Sequence, residues 1–148
     1  KGKDLWPAIW LTHAETWPPE IDVLEAYSND KMKYANKYNT NLFLGEDKKD
    51  ELTKEVLSEH FQLGAMSHGF LIRDESENLN LKLDWSKEYI KIYYNNYLVR
   101  QITDKKVLQW FNYNPIMKIV MNNAINKPST LKEMNVKPLN IKNFYYSK

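Results

Sequence analysis

The chain of 148 residues contains no cysteine, only four glycines and only three histidines. The absence of cysteine excludes disulfide bonds and thiolate metal sites, but it leaves the compartment open because secreted proteins can also lack disulfides. The four glycines form no glycine-rich phosphate-binding loop. The histidines, His13, His60 and His68, do not have the spacing of paired metal ligands, so we expect no metal site.

A strong charge of one sign and a long apolar run are also absent. Lysine and arginine total 21 against 19 acidic residues, a net charge of +2, which lacks the electrostatic footprint of a nucleic-acid-binding protein. No apolar run approaches the length of a membrane span, and no signal peptide is visible. With 43% hydrophobic residues, this length predicts one domain, residues 1–148, that can bury a core.

Three carboxylates lie in one otherwise apolar run, residues 17–25, whose aliphatic side chains predict a half-buried strand. Glu20 and Asp22 share a face of such a strand, whereas Glu25 would face the other side. A β-bulge around Val23-Leu24 would return Glu25 to the first face. The two Glu carboxyl groups would then approach to about 5–6 Å, near the separation in retaining glycosidases.

Asp22, between the two glutamates, is placed to hold a proton or to hydrogen-bond one of them, which would separate their pKa values. The alternative is an exposed strand whose acids simply face water. Three tryptophans favour a sugar site, because aromatic faces stack on pyranose rings. Trp17 adjoins the acids and is the better platform, whereas Trp6 and Trp10, which share a strand face, fit core packing at least as well as sugar contact.

Two motifs carry a resemblance to a known enzyme family. The stretch Trp6-Pro7-Ala8-Ile9-Trp10, followed by an E-x-D-x-x-E motif at residues 20–25, resembles the signature of glycoside hydrolase family 16. Two residues between the Asp and the second Glu are similar to the bulged laminarinase, agarase and carrageenase branches. Weaker similarity covers much of the chain, including the segment 85–100, where Asn95-Asn96 replaces the family's usual Asp-Gly turn.

The resemblance implies a fold and a place for this chain within it. The expected fold class is all-β, an antiparallel β-sandwich of the concanavalin-like jelly-roll type. The acid motif stands near the middle of the family's usual domain, but it begins at Glu20 here. We therefore expect the chain to match the C-terminal portion of that domain, with its N-terminal strands missing or supplied by a further segment or a second chain.

The resemblance also implies an activity and the roles of three residues. The expected function is endo-acting, retaining hydrolysis of a β-glucan or galactan polysaccharide outside the cell or at its surface, with no cofactor. Glu20 matches the nucleophile, Asp22 the assisting acid and Glu25 the acid/base. The alternatives are transglycosylation by the same residues, or a non-catalytic carbohydrate-binding or structural domain, for example of a cell surface or a virion. The expected partner is a polysaccharide or oligosaccharide, with no nucleic acid and no membrane span.

Period-two alternation and turn residues predict the other strands. The clearest alternation is at residues 79–85, and Asn95-Asn96 predicts a two-residue type I′ turn between strands at 88–94 and 97–103. Residues 51–61 fit either a helix or an irregular strand. Further strands are predicted at residues 5–12, 39–44, 115–124 and 141–146.

Four further residues are candidate substrate contacts. His13 lies near the acid strand, although a loop histidine without a site role fits as well. Trp10 belongs to the tryptophan pair described above. Trp110 follows the hairpin in a stretch predicted as loop and is a candidate for the cleft rim. Asn122 would face either the groove or a hydrogen-bond partner at the end of its strand.

Overall fold

The computed structural model describes residues 5–15, 17–26, 38–44, 66–68, 79–113, 116–125 and 144–145. These residues form two antiparallel sheets and one short helix, so the predicted all-β sandwich is confirmed. The elements, in chain order, are β1 (Leu5–His13), β2 (Glu20–Ala26), β3 (Tyr38–Phe43), β4 (Met66–His68), β5 (Leu81–Trp85), β6 (Ile90–Tyr94), β7 (Tyr97–Ile102), α1 (Lys105–Tyr113) and β8 (Met117–Ile125).

The first sheet has five strands in the order β4-β3-β2-β1-β8, and the acid strand β2 lies at its centre. Its neighbours β1 and β3 both run antiparallel to it. The strand β8 returns from the far end of the chain to pair along all of β1, from Leu5 opposite Ile125 to His13 opposite Met117. The centre of the sheet is therefore assembled from segments about a hundred residues apart in sequence.

The second sheet is the meander β5-β6-β7, which the sequence predicts well. Asn95 and Asn96 connect β6 to β7 with φ values of 47° and 69°. Both values are positive, as a type I′ turn requires, and asparagine tolerates this region better than most residues. The predicted hairpin and its turn are confirmed.

The hydrophobic core lies between the two sheets. Alternating residues of β6 face it, and in β2 the core residue Ile21 stands between Glu20 and Asp22. The carboxylates of these two neighbours therefore point away from the second sheet. Trp85 packs against the core. The buried members of the core are Ile21, Val23, Leu24, Leu42, Leu44, Ile90, Ile92, Tyr94, Ile102, Val107, Leu108 and Phe111.

The helix α1 corrects the prediction of a loop after the hairpin. Asp104 caps its N-terminus, since the Asp104 Oδ1 accepts a hydrogen bond of 2.8 Å from the backbone N–H of Lys106. Val107, Leu108 and Phe111 then bury one face of the helix in the core. The apolar spacing is short, one turn only, and the loop prediction overlooked it.

Two predictions concern segments that are mostly outside the described residues. The ambiguous segment 51–61 lies entirely outside them. Of the predicted strand at 141–146, only Phe144 and Tyr145 are described, and both are exposed and belong to no strand. Among the helices within the described ranges, none is long and apolar enough to cross a membrane.

Candidate active site

A β-bulge interrupts the acid strand at the predicted position. On the β1 side, Ile9 pairs with Leu24 and the next residue, Trp10, pairs with Asp22. Val23 is therefore an extra residue that has no partner in β1. The prediction of a bulge around Val23-Leu24 is confirmed.

The β3 side of the bulge shows the same irregularity. Asp22 pairs with Asn41 and Glu25 pairs with Asn39, so Thr40 alone stands opposite two residues of β2. Two residues opposite one define a bulge, and such a bulge bends the strand and re-aims the side chains that follow it. The residue that follows here is Glu25.

The pairing with β1 puts all three acids on one face of the sheet. Directly opposite residues in an antiparallel pair point to the same face, and Thr12, Trp10 and Ala8 are alternate residues of one strand. Their partners in β2 are, respectively, Glu20, Asp22 and Glu25. Without the extra residue, Glu25 would have pointed into the core between the sheets.

Two tryptophans donate hydrogen bonds to the two glutamates. The indole N–H of Trp17 lies 2.8 Å from Glu20 Oε2, and that of Trp6 lies 3.1 Å from Glu25 Oε1. The Trp17 ring is 43% exposed and leans on Phe43, with ring centroids 5.6 Å apart. A charge-assisted hydrogen bond stabilises the carboxylate form of its acceptor, so the Trp17 indole favours an ionised Glu20.

Trp10 and Asn122 lie on the same face as the acids. The Trp10 indole donates to Asn122 Oδ1 at 2.8 Å, and Asn122 stands opposite Ala8 in the pairing of β1 with β8. The side-chain amide of Asn122 is thereby fixed beside Glu20, Asp22 and Glu25, which together are called the acid row. Trp10 and Asn122, two predicted contact residues, are therefore brought together with the acids.

Access to solvent differs along the acid row. Glu20 is half-buried, whereas Asp22 is 3% exposed and Glu25 is 5% exposed. Glu20 and its exposed neighbour Trp17 thus form the more open end of the row. Glu25 lies deeper than Glu20.

Burial raises the pKa of Asp22 to about 9, and the negative charges of Glu25 and Glu20 add to the effect. The charge of Arg100 acts in the opposite direction but is the smaller influence. Burial also raises the pKa of Glu20, while hydrogen bonds from Trp17 and Asp22 lower it. The arrangement is that of a protonated Asp22 that donates its hydrogen bond to Glu20.

The second oxygen of the Asp22 carboxyl supports a protonated state. Its Oδ2 is buried and has no hydrogen-bond partner among the residues that the structure describes. An ionised carboxylate buried in this way would be costly, because each of its oxygens requires donors. A neutral carboxyl group that shares one proton with Glu20 avoids most of this cost.

His13 and Trp110 are not brought to the acid row. His13 is the last residue of β1, adjacent to Thr12, so strand alternation turns it to the opposite face from Glu20. Its Nδ1 accepts a hydrogen bond from the backbone N–H of Glu15. Trp110 lies in α1 and packs against the core, which is on the other side of the first sheet. The prediction that it lies in a loop was wrong.

Sequence reasoning left Trp6 open between core packing and sugar contact, because the face that it shares with Trp10 was unknown. It missed Tyr94 and Arg100, which reach the first sheet from the second, Tyr94 at Val23 in β2 and Arg100 at Thr40 in β3. No local pattern indicates such contacts, since they join segments 60 to 71 residues apart.

Comparison with known proteins gives no family. No protein-family model matches the chain, and no curated protein matches it significantly. Within the described ranges, no group of three His, Asp or Glu side chains could hold a metal ion.

Proposed function

We propose that the chain carries the catalytic acids of a retaining β-glycosidase that hydrolyses a polysaccharide of the β-glucan or galactan type. The observation that carries this proposal is the bulge, which gathers Glu20, Asp22 and Glu25 on one sheet face. Double displacement needs two carboxyl groups beside one glycosidic bond, one as nucleophile and one as acid and then base. The resemblance to glycoside hydrolase family 16 assigns the same residues.

In the proposed mechanism, the Glu20 carboxylate attacks the anomeric carbon while Glu25 gives its proton to the leaving oxygen. Glu25 then takes a proton from water, which attacks the glycosyl-enzyme and releases Glu20. The hydrogen bonds from Trp17 and Asp22 favour the ionised Glu20 that the first step requires. The exposed Trp17 ring beside Glu20 supplies a stacking surface for a sugar. The proposed reaction takes place outside the cell or at its surface.

The test is a reducing-sugar assay on a panel of β-glucans and galactans. Glu20→Gln and Glu25→Gln should each reduce the rate by several orders of magnitude while the circular dichroism spectrum is retained. Glu88→Gln, which alters an exposed glutamate in the turn before β6, is the matched control and should keep full activity. Proton NMR of the first product should show the β-anomer, as retention requires. Wild-type turnover by Glu20→Gln would refute the assignment.

A second candidate function is carbohydrate binding without hydrolysis, in a binding or structural domain of a cell surface or a virion. The burial of Glu25 favours it, because an acid/base must reach both the leaving oxygen and water, and this side chain is 5% exposed. Isothermal titration against the same panel separates the two functions. Binding that Trp17→Ala weakens, with no release of reducing ends by the wild type, would select the binding function.

A further inference from the structure

The bulge in β2 interrupts the regular pairing of this strand with both of its neighbours. A bulge disrupts the ladder locally, and a buried carbonyl without a donor is unfavourable. Val23, the extra residue, is buried, and so is Thr40, which faces two residues of β2. A donor for the Val23 carbonyl group is therefore expected from outside the ladder.

The second sheet supplies two side-chain donors at the bulge. The Tyr94 hydroxyl lies 2.7 Å from the Val23 carbonyl oxygen and 3.3 Å from that of Asn39. A hydroxyl has one proton, so the shorter distance identifies Val23 as the acceptor. Arg100 Nη1 donates to the Thr40 carbonyl oxygen at 3.0 Å. The two carbonyl groups on either side of the bulge therefore each receive a buried side-chain donor.

Both donors project from one face of the second sheet. Tyr94 and Ile92 are alternate residues of β6, and Arg100 of β7 stands directly opposite Ile92. Tyr94 is fully buried and Arg100 nearly so, so water cannot easily replace either donor. The Tyr94 ring also makes an edge-on contact with Tyr38, with centroids 5.8 Å apart, which fixes its orientation.

We propose that Tyr94 and Arg100 lock the bulge of β2 from the opposite sheet, and that Tyr94 is thereby a positioning residue for Glu25. The catalytic part of this inference rests on the proposed function. The competing arrangement is a regular β2, in which a one-residue slip would turn Glu25 toward the core. The Tyr94 hydroxyl donates a hydrogen bond to the carbonyl of Val23, the extra residue that a regular strand would not contain. The two donors therefore select the register that keeps the three acids on one face.

The first test compares Tyr94→Phe with Tyr93→Phe. Phenylalanine keeps the size and ring contacts of Tyr94 and removes only the hydroxyl, while Tyr93, its neighbour in β6, points away from the core and serves as the control. For Tyr94→Phe we expect kcat to fall about 10- to 100-fold with KM nearly unchanged, because a small displacement of a catalytic group has this effect. The control should match the wild type. Equal kcat values for the two variants would overturn the inference.

The second readout does not depend on hydrolysis. Carbon-13 NMR of the Asp22 carboxyl group follows its titration, which the neighbouring Glu25 shifts upward. Displacement of Glu25 in Tyr94→Phe should lower the titration midpoint by at least about 0.5 pH unit, whereas lost stability alone would not move it. A moved midpoint in a protein that cleaves no glycan would refute the proposed hydrolase and leave the positioning role intact. A midpoint equal to that of Tyr93→Phe would overturn the positioning role.

A measurement on the wild type covers the case in which Tyr94→Phe does not fold. A buried hydroxyl bonded at 2.7 Å should give a slowly exchanging proton resonance with a nuclear Overhauser contact to the Cα–H of Leu24, which lies on the same side of the peptide bond as the Val23 carbonyl oxygen. Detection of this contact supports the lock. A Tyr94 hydroxyl proton that exchanges rapidly with water would overturn it.

Discussion

Replacement of Asp22 by asparagine should change how the stability of the protein depends on pH. Asp22 has a pKa of about 9 in the folded chain, against 3.8 for an ordinary aspartate. Between these values the folded state keeps a proton that the unfolded chain has released. Stability from this group is complete below pH 3.8 and is lost steadily as the pH rises toward 9.

The size of this pH dependence follows from the single proton that Asp22 retains in the folded state. Each pH unit within this window lowers the free energy of unfolding by about 1.4 kcal/mol. The slope between pH 5 and pH 8, which lies inside this window, is the quantity to measure. The asparagine of Asp22→Asn is neutral at every pH and can still donate to Glu20, so the slope for this variant should be shallower by about 1.4 kcal/mol per pH unit.

The assay is urea denaturation at pH 5, 6, 7 and 8, with the free energy of unfolding extrapolated to water for wild type and Asp22→Asn. Ile92→Val is the control, because a core truncation should cost about 0.5–1.5 kcal/mol equally at each pH. Parallel lines for wild type and Asp22→Asn would refute the protonated Asp22. They would also contradict a hydrogen bond donated by Asp22 to Glu20.

Three further changes test the contacts around the acids and the hairpin. Arg100→Met should lower the free energy of unfolding by about 1–3 kcal/mol in urea denaturation, because the buried hydrogen bond from a charged donor to the Thr40 carbonyl is lost; equal stability would contradict that bond. Trp17→Phe should raise the pKa of Glu20, measured by carboxyl NMR, because an N–H donor to its charged form is lost; an unchanged midpoint would show that the indole bond does not form in solution. Asn96→Val should lower the melting temperature and Asn96→Gly should not, since φ is 69° there; equal losses would argue against a type I′ turn.

The acid row shows which features of a site can be predicted from the local sequence. Alternation put Glu20 and Asp22 on one face, and the count of residues to Glu25 required a bulge if all three were to act together. The structure has that bulge at Val23-Leu24. Neighbouring residues on one strand are related by fixed geometry, and for this reason the prediction could be made without any tertiary information.

The environment of the acids could not be predicted in the same way. Whether Trp6 packed in the core or bonded Glu25 depended on which face of β1 met the second sheet, and that face is set by contacts between distant strands. The helix after the hairpin was missed because its apolar repeat is only one turn long. His13 was a candidate substrate contact because it is close to the acids in the sequence, but strand alternation turns its side chain to the other face of the sheet.

By itself, the sequence determined the strand period, the type I′ turn and the order of the three acids, and it required a bulge if those acids were to share one face, because each follows from the geometry of a few consecutive residues. Tertiary structure alone decided that Asp22 is buried beside two glutamates and that Tyr94 and Arg100 bond the carbonyl groups at the bulge. The physical reason is that burial and pairing depend on which distant strands meet. Those contacts determine which of the acids is protonated, whereas the local sequence determines only the order of the acids along the strand.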